Sequence, residues 1–325
     1  MCIQEESHNV DFEAESNPVS GPSAEPVPSW SRGSGQRHED NEEAKPHLSK
    51  SQMDRYLACP RSHHFSSTMK ISALQTPTNL LIGSATHRGI AAYYLARNNG
   101  EPSDMFEVAQ AVDEIWQEEI GKTGQEASPE LLAARNASHH YVDLFLQNVL
   151  LDPIAVETRF EIPIVHPGNG DTLPCNLVGI VDLVDKPGQC PRPIEIKTRA
   201  AKAPDYLPGL SLELTCYAYW VWHNAWHDVF SGNSDSVPVG YIHIIKTKTP
   251  YIQKQEGVRG THDFIDLYNT AKHVYESIGE GRIHKSSGMH CTWCDYIPIC
   301  TRDHDLTKAT FGNEAYQRLW EAEFI

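Results

Sequence analysis

No run of about 18 or more apolar residues occurs in the chain, so no membrane-spanning helix is expected. The first residues, MCIQEESHNVDFEAE, are acidic. They lack the apolar core of a secretory signal and the arginines of a transit peptide. Positive charge is scarce: 27 Lys and Arg stand against 43 Asp and Glu, a formal net charge of −16. That balance excludes a broad electrostatic attraction to nucleic acid and confines any such contact to a local basic groove or a partner protein. The deficit is spread out, with ten acids and three bases in residues 1–46 and 33 acids and 24 bases in the remainder. Bound metal would neutralise some of the latter acids. No internal repeat is visible, which argues against a solenoid. The expected compartment is the cytoplasm, with at most an association with the nucleoid and no membrane.

The chain has 325 residues, 40% of them hydrophobic, enough for a core in one large domain or two small ones. Residues 1–46 are rich in Ser, Pro, Glu and Gly and are expected to form a disordered tail. Residues 47–325 are expected to fold. Order should begin at His47-Leu48-Ser49, with Ser49 or Ser51 capping a helix through Met53, Tyr56 and Leu57 that Pro60 interrupts. Apolar spacing predicts helices over 80–97, 104–120 and 129–151. Alternation then predicts strands over 155–165, 173–185 and 193–200, with a loop over 186–193. An aromatic-rich helix over 211–229, a strand over 239–247, a helix over 261–280 and a short C-terminal helix complete the order. The expected fold class is α/β, with helical elaboration at both ends.

Chemistry concentrates in a few residues. Glu195 and Lys197 are two apart on a predicted strand and therefore share a face. Asp182 lies on the preceding strand, after Gly179, and would face Glu195 if the strands pair. Two carboxylates on one face hold a hard divalent cation through oxygen. Such a cation neutralises a phosphodiester and lowers the pKa of bound water. Lys197 beside it would orient the attacking water or stabilise the transition state. An exposed E-I-K strand is also an ordinary solvated face, but here Val181, Leu183, Ile194 and Ile196 surround the charges with apolar side chains, and buried charges need partners or metal. His87, in the 80–97 helix, would complete the metal shell as a neutral imidazole. Gly83, one turn earlier, would let another backbone approach and place His87 at a crowded point.

The eight cysteines suit metal binding better than a disulfide framework. Cys291, Cys294 and Cys300 follow the spacing C-x2-C-x5-C, with Cys59 upstream across 231 intervening residues. Cys2, Cys175, Cys190 and Cys216 fit no ligand spacing. A thiolate quartet can hold Zn²⁺ or a [4Fe–4S] cluster, and spacing alone does not decide between them. Closing so long a loop costs an unfolded chain roughly 5 kcal/mol in the logarithmic term, which thiolate–metal bonds would offset. Trp293 and Tyr296 would shield the ligands or pack. Of the dispersed basic residues, Arg88 beside His87 is the strongest phosphate contact, and Lys246 and Lys248 would line a groove from a strand end. Trp220, Trp222 and Trp226 fit a packed helix face better than a base-stacking platform.

The order Y-x-x-C-P (Tyr56–Pro60), G-x-x-x-H (Gly83–His87), G-I-V-D (Gly179–Asp182), E-I-K (Glu195–Lys197), the helix from Glu213 to Tyr217 and C-x2-C-x5-C resembles the RecB-like branch of the PD-(D/E)XK nuclease superfamily. The likeness is strongest to its iron–sulfur members, among them the AddB nuclease domain, exonuclease V and the CRISPR-adaptation nuclease. It covers about residues 49–302. It implies a restriction-endonuclease-like core, a central mixed sheet flanked by helices, whose helical ends are joined by a metal cluster. It implies Mg²⁺ or Mn²⁺ held by His87, Asp182, Glu195 and the Ile196 carbonyl, with Lys197 assisting the water. Glu157 matches an acidic position often present on the first strand. Tyr217 would contact the substrate backbone or brace the site. Glu213 stands where the family usually has Gln and adds charge near the substrate. The cysteine quartet would hold [4Fe–4S] rather than zinc. The implied activity is a DNase, an exonuclease on DNA ends or single strands, in repair, recombination or processing, with a helicase or other recombination protein as a candidate partner. The competing expectations are a catalytically degenerate DNA-binding or helicase-partner module, a zinc protein of unrelated fold, and a CRISPR-adaptation nuclease.

Overall fold

The computed structural model describes residues 45–123, 128–187, 190–224 and 236–324. Within these, six strands form one mixed sheet built around the 14-residue β3 (Thr172–Asp185). Strand β2 (Ala155–Val165) runs antiparallel along almost all of β3. The other edge of β3 has two partners in turn. Short β1 (His47–Ser49) lies parallel to Asn176–Val178, and β4 (Arg192–Arg199) pairs antiparallel with Leu183–Asp185 only. Strand β4 continues beside parallel β5 (Ser236–Ile245), and antiparallel β6 (Tyr251–Gly260) forms the far edge.

Local chemistry sets the helix ends. Helix α1 (Lys50–Ala58) starts in a capping box: the Ser49 hydroxyl accepts from Gln52 N–H while the Gln52 side chain accepts from Ser49 N–H. Cys59 is extended, and Pro60 opens α2 (Pro60–His63) from the first-turn position that tolerates it. A π-helical turn follows at His64–Thr68. Helices α3 (Thr78–Asn98), α4 (Met105–Thr123) and α5 (Pro129–Asn148) come next, α5 with Ser128 as cap and Pro129 behind it. The chain crosses from β4 to β5 through the short α6 (Leu207–Leu210) and α7 (Leu212–His223). Nine residues of α7 are buried, as expected for a helix that is apolar nearly all round. Helix α8 (Thr261–Gly279), a 3₁₀ turn at Met289–Trp293, α9 (Ile297–Thr301) and α10 (His304–Glu321) finish the chain.

Two cores sandwich the sheet. Phe160, Ile162, Leu177, Val181 and Tyr241 pack with α1, α7 and α8. Val156, Leu183, Ile194, Ile196 and Ile242 pack with α3, α4 and α5. A third cluster joins the first helices of the described region to its last, with Phe65 and Ile71 against Tyr296, Ile299, Phe311 and Leu319. No described helix is long and apolar enough to cross a membrane.

The expected α/β class holds, as a central mixed sheet flanked by helices. Several boundaries move. The 129–151 helix ends at Asn148, and the 211–229 helix ends at His223, with Asn224 as its extended C-cap and residues 225–229 outside the described ones. Residues 1–44 also lie outside them. The short C-terminal helix is two helices, and α10 is long and kinked at Gly312, where φ is +85°. Strands β1 and β6 were not anticipated. The middle of β6 is the polar run Gln253-Lys254-Gln255-Glu256, so YIQKQEGVRG carries little apolar alternation. The glycine at a close approach is not Gly83, where an added Cβ meets only Thr198 Oγ1 at 3.5 Å. It is Gly89, where a Cβ would lie 2.6 Å from Val112 and 2.8 Å from Val142. Gly89→Ala should therefore force α3 off α4 and α5 and cost about 1–3 kcal/mol in denaturant unfolding, whereas Gly83→Ala should unfold within about 1 kcal/mol of the parent.

Candidate active site

The site lies where β3 and β4 part. Their pairing stops at Leu183↔Ile194, and beyond it the Asp182 carboxylate takes the place of a strand: Oδ2 accepts the Ile196 N–H at 2.7 Å. Asp182 Oδ1 meets His87 Nδ1 of α3 at 3.4 Å. The same point is irregular on β2. Glu157 has φ of +45°, a left-handed conformation that costs a non-glycine residue energy. It lies between the registered pairs Val156↔Leu183 and Thr158↔Val181, opposite Asp182. On either side of it the strands change core: Phe160 and Val181 belong to one, Val156 and Leu183 to the other. In a regular strand, residues two apart share a face. The turnover at Glu157 and Asp182 breaks that rule and directs both carboxylates toward His87. One ligand atom from each of His87, Glu157 and Asp182 lies within 4.8 Å of the other two.

Glu195 and Lys197 occupy the opposite face of β4 from Ile194 and Ile196, and α7 covers them. Lys197 Nζ donates to Glu195 Oε1 and, at 3.1 Å, to Glu213 Oε1. The Tyr217 hydroxyl donates to Glu195 Oε2 at 2.8 Å. Glu213, one helical turn before Tyr217, also pairs with Lys50 Nζ at 3.5 Å, and its Oε2 accepts from the Tyr241 hydroxyl at 3.4 Å. Tyr241 is held by Ser211 at 2.6 Å.

The titration behaviour follows from burial and crowding. Burial, reinforced by the Asp182 charge, pushes the Glu195 carboxyl up to about 8. Burial and Asp182 raise Glu157 as well. For His87 burial works downward, but the Asp182 carboxylate outweighs it and lifts the imidazolium to about 9. Burial opposes the Asp182 charge in turn, and the His87 cation holds that carboxyl below its usual range. Lys197 rises despite burial because Glu195 and Glu213 face it. Acids raised by desolvation and by a neighbouring carboxylate mark a site with more negative charge than its own cations balance. A divalent cation matches that deficit: the two carboxylates suit a hard ion such as Mg²⁺ or Mn²⁺, and His87 can join them once the cation displaces its proton.

The structure thus brings together His87, Asp182, Glu195, Lys197, Glu213 and Tyr217 from four elements. Ile196 enters the site through its N–H. Of the two roles expected for Tyr217, bracing is the one its hydrogen bond serves. Arg88 is exposed on α3, in a loose 3.8 Å pair with Glu114. Lys246 and Lys248 follow the end of β5 rather than lying in it. Trp220 is buried in the core, and Trp226 lies outside the described residues. Lys50 and Tyr241 were not anticipated as part of the site, since nothing local in the sequence links them to Glu213.

The four cysteines converge as well. Cys59, Cys291, Cys294 and Cys300 line one small cavity with Ser62, Phe65 and His290. Backbone ties hold the segments together: Arg61 N–H donates to His284 O at 3.2 Å, and the Tyr56 hydroxyl to Arg282 O at 3.0 Å. Tyr296 is buried, with its hydroxyl on Ile71 O, whereas Trp293 is 76% exposed and does not enclose the cavity. Cys175 and Cys216 are buried in the first core, as packing residues.

No curated protein matches the chain significantly. The family description PD-(D/E)XK nuclease superfamily matches residues 47–301, a span that contains both parted strands and all four cavity cysteines. An unrelated zinc fold is thereby set aside, and the chain belongs to the PD-(D/E)XK nuclease superfamily.

Proposed function

We propose that the protein is a Mg²⁺- or Mn²⁺-dependent deoxyribonuclease that hydrolyses phosphodiester bonds at DNA ends or in single strands. The observation that carries this reading is the meeting of His87, Glu157 and Asp182 beside a lysine bound to Glu195. A superfamily member with this set complete favours an enzyme over a degenerate binding module. His87, Glu157 and Asp182 would hold the cation, and the resemblance adds Glu195 and the Ile196 carbonyl as further ligands. A divalent ion there supplies charge neutralisation at the phosphate and a more acidic water. The chain's own residues do the rest. Lys197, anchored by Glu195 and Glu213, orients the attacking water and offsets charge on the reacting phosphoryl group. Tyr217 fixes Glu195, and the pair of Lys50 and Tyr241 fixes Glu213. Action in repair or recombination beside a helicase, or in CRISPR adaptation, follows from the resemblance alone.

The same reading gives the cysteine cavity a [4Fe–4S] cluster. Four thiolates lining one cavity can hold either zinc or a polynuclear cluster, and the resemblance to iron–sulfur members of the superfamily favours the cluster. His290 lines the cavity but is turned to Ser286 O at 3.0 Å, which leaves the thiolates as the ligand set.

End-labelled single- and double-stranded DNA should be cut with Mg²⁺ or Mn²⁺ and left intact with EDTA. Asp182→Ala and Lys197→Ala should each lose about 100-fold or more in rate; wild-type rates from a clean preparation of either would remove the assigned site. Anaerobically purified protein should be brown and contain about four iron and four sulfide per chain. Cys294→Ser should lose most of that iron, and one zinc per chain without sulfide would overturn the cluster.

A further inference from the structure

We infer that the hollow between α3 and α4 is a subsite for one unpaired nucleobase next to the scissile phosphate. The inference rests on the nuclease reading above and specifies what that site accepts. The hollow has a volume of about 370 Å³, within the range of small-ligand pockets. Two of the three candidate metal ligands, His87 and Glu157, form part of its wall, and Arg88 stands beside them. Whatever fills it is therefore adjacent to the group being hydrolysed. A phosphate at the metal ligands leaves its attached sugar and base within reach of this opening.

The interior is built for a flat, apolar occupant. Ala91, Ala92 and Leu95 line it from successive turns of α3, and Ala111 and Ile115 face them from α4. At Gly89 the two helices are in tight contact through Val112. Beyond that contact the stripe offers alanines, and the helices leave a slot between them. Leu95, at 41% exposure, is the kind of apolar side chain that a stacked ring would cover. Apart from Ser84 and the charged residues of its wall, the slot presents methyl and methylene groups, an apolar surface for a base face. Arg88 is free to turn to a flanking phosphate, since its exposed 3.8 Å pair with Glu114 holds it weakly. A base can enter only after it leaves its stack and its partner, which selects unpaired DNA.

Cleavage of an end-labelled single strand in Mn²⁺, with an abasic residue moved through every position, tests the subsite. At one position beside the cut bond, loss of the base should slow cleavage about tenfold. Ala92→Trp, which fills the slot, should slow cleavage of intact DNA by a similar factor and abolish the abasic effect. If Ala92→Trp does not fold, Leu95→Ala, at a half-exposed position, should still shrink the abasic effect. An abasic scan without any sensitive position, or wild-type behaviour of both variants on intact and abasic strands, would overturn the subsite while leaving the nuclease reading in place. Failure of the wild-type protein to cut intact strands in Mg²⁺ or Mn²⁺ would overturn both.

Discussion

One hydrogen bond organises the catalytic end of this molecule. Where β4 leaves β3, the N–H of Ile196 would have no strand to donate to, and a buried backbone donor without a partner is costly. Asp182 supplies that acceptor from the neighbouring strand at 2.7 Å. The carboxylate is thereby fixed in position by the sheet, with its second oxygen turned to His87. The parting of the strands also opens the space in which Glu195 and Lys197 meet α7. The site is not attached to the sheet as a loop decoration; it occupies a fault in the hydrogen-bond ladder, and Asp182 repairs one side of that fault.

The second constraint is charge. Glu157, Asp182, Glu195 and Glu213 crowd a space in which His87, Lys197 and Lys50 are the paired counter-ions, with exposed Arg88 acting on Glu157 from outside. Two pairings settle half of the conflict: His87 with Asp182, and Lys197 with Glu195 and Glu213. The Glu195 carboxyl, pushed up to about 8 by burial and by Asp182, shows how much is left unsettled. Glu213 enters this balance in an instructive way. The residue that seemed, from the sequence, to add an uncompensated charge is compensated by Lys50 from the start of the folded region. Its oxygens face Lys197, Lys50 and Tyr241, and so its effect on substrate passes through the lysine that it holds.

Much of the architecture was readable because the relevant signals are local. Capping at Ser49, the break at Pro60 and the strand alternation across 155–199 are written within a few residues each. Asp182, Glu195 and Lys197 were readable for the same reason: charges inside apolar strands stand out. Glu157 was placed by resemblance alone, since its role comes from a left-handed backbone that V-E-T-R-F does not announce. Lys50 and Tyr241 reach the site only after α1 and β5 have packed against α7. Gly89 and Gly83 look alike on the page of the sequence, and only the contact with Val112 and Val142 separates them. Strand β6 was missed because its middle is the polar run Gln253–Glu256, and strand periodicity was sought in apolar residues.

The first and last segments of the described region connect these themes through α1. This nine-residue helix is about 13 Å long. Its first residue, Lys50, pairs with Glu213 at the site, and the residue after its last, Cys59, lines the cysteine cavity. Tyr56 and Arg61 tie the same stretch to Arg282, Ile283 and His284, which lead into the C-terminal cysteines. The apolar cluster of Phe65, Tyr296 and Phe311 gives this junction a hydrophobic basis that does not depend on any bound group. What four thiolates on one inorganic centre would add is rigidity at the far end of α1. A helix of under three turns transmits a displacement at Cys59 to Lys50, and from there to the pair of Glu213 and Lys197. The cysteines and the carboxylates, far apart in function, therefore share one mechanical element, and the order of the first depends on the same helix as the charge balance of the second.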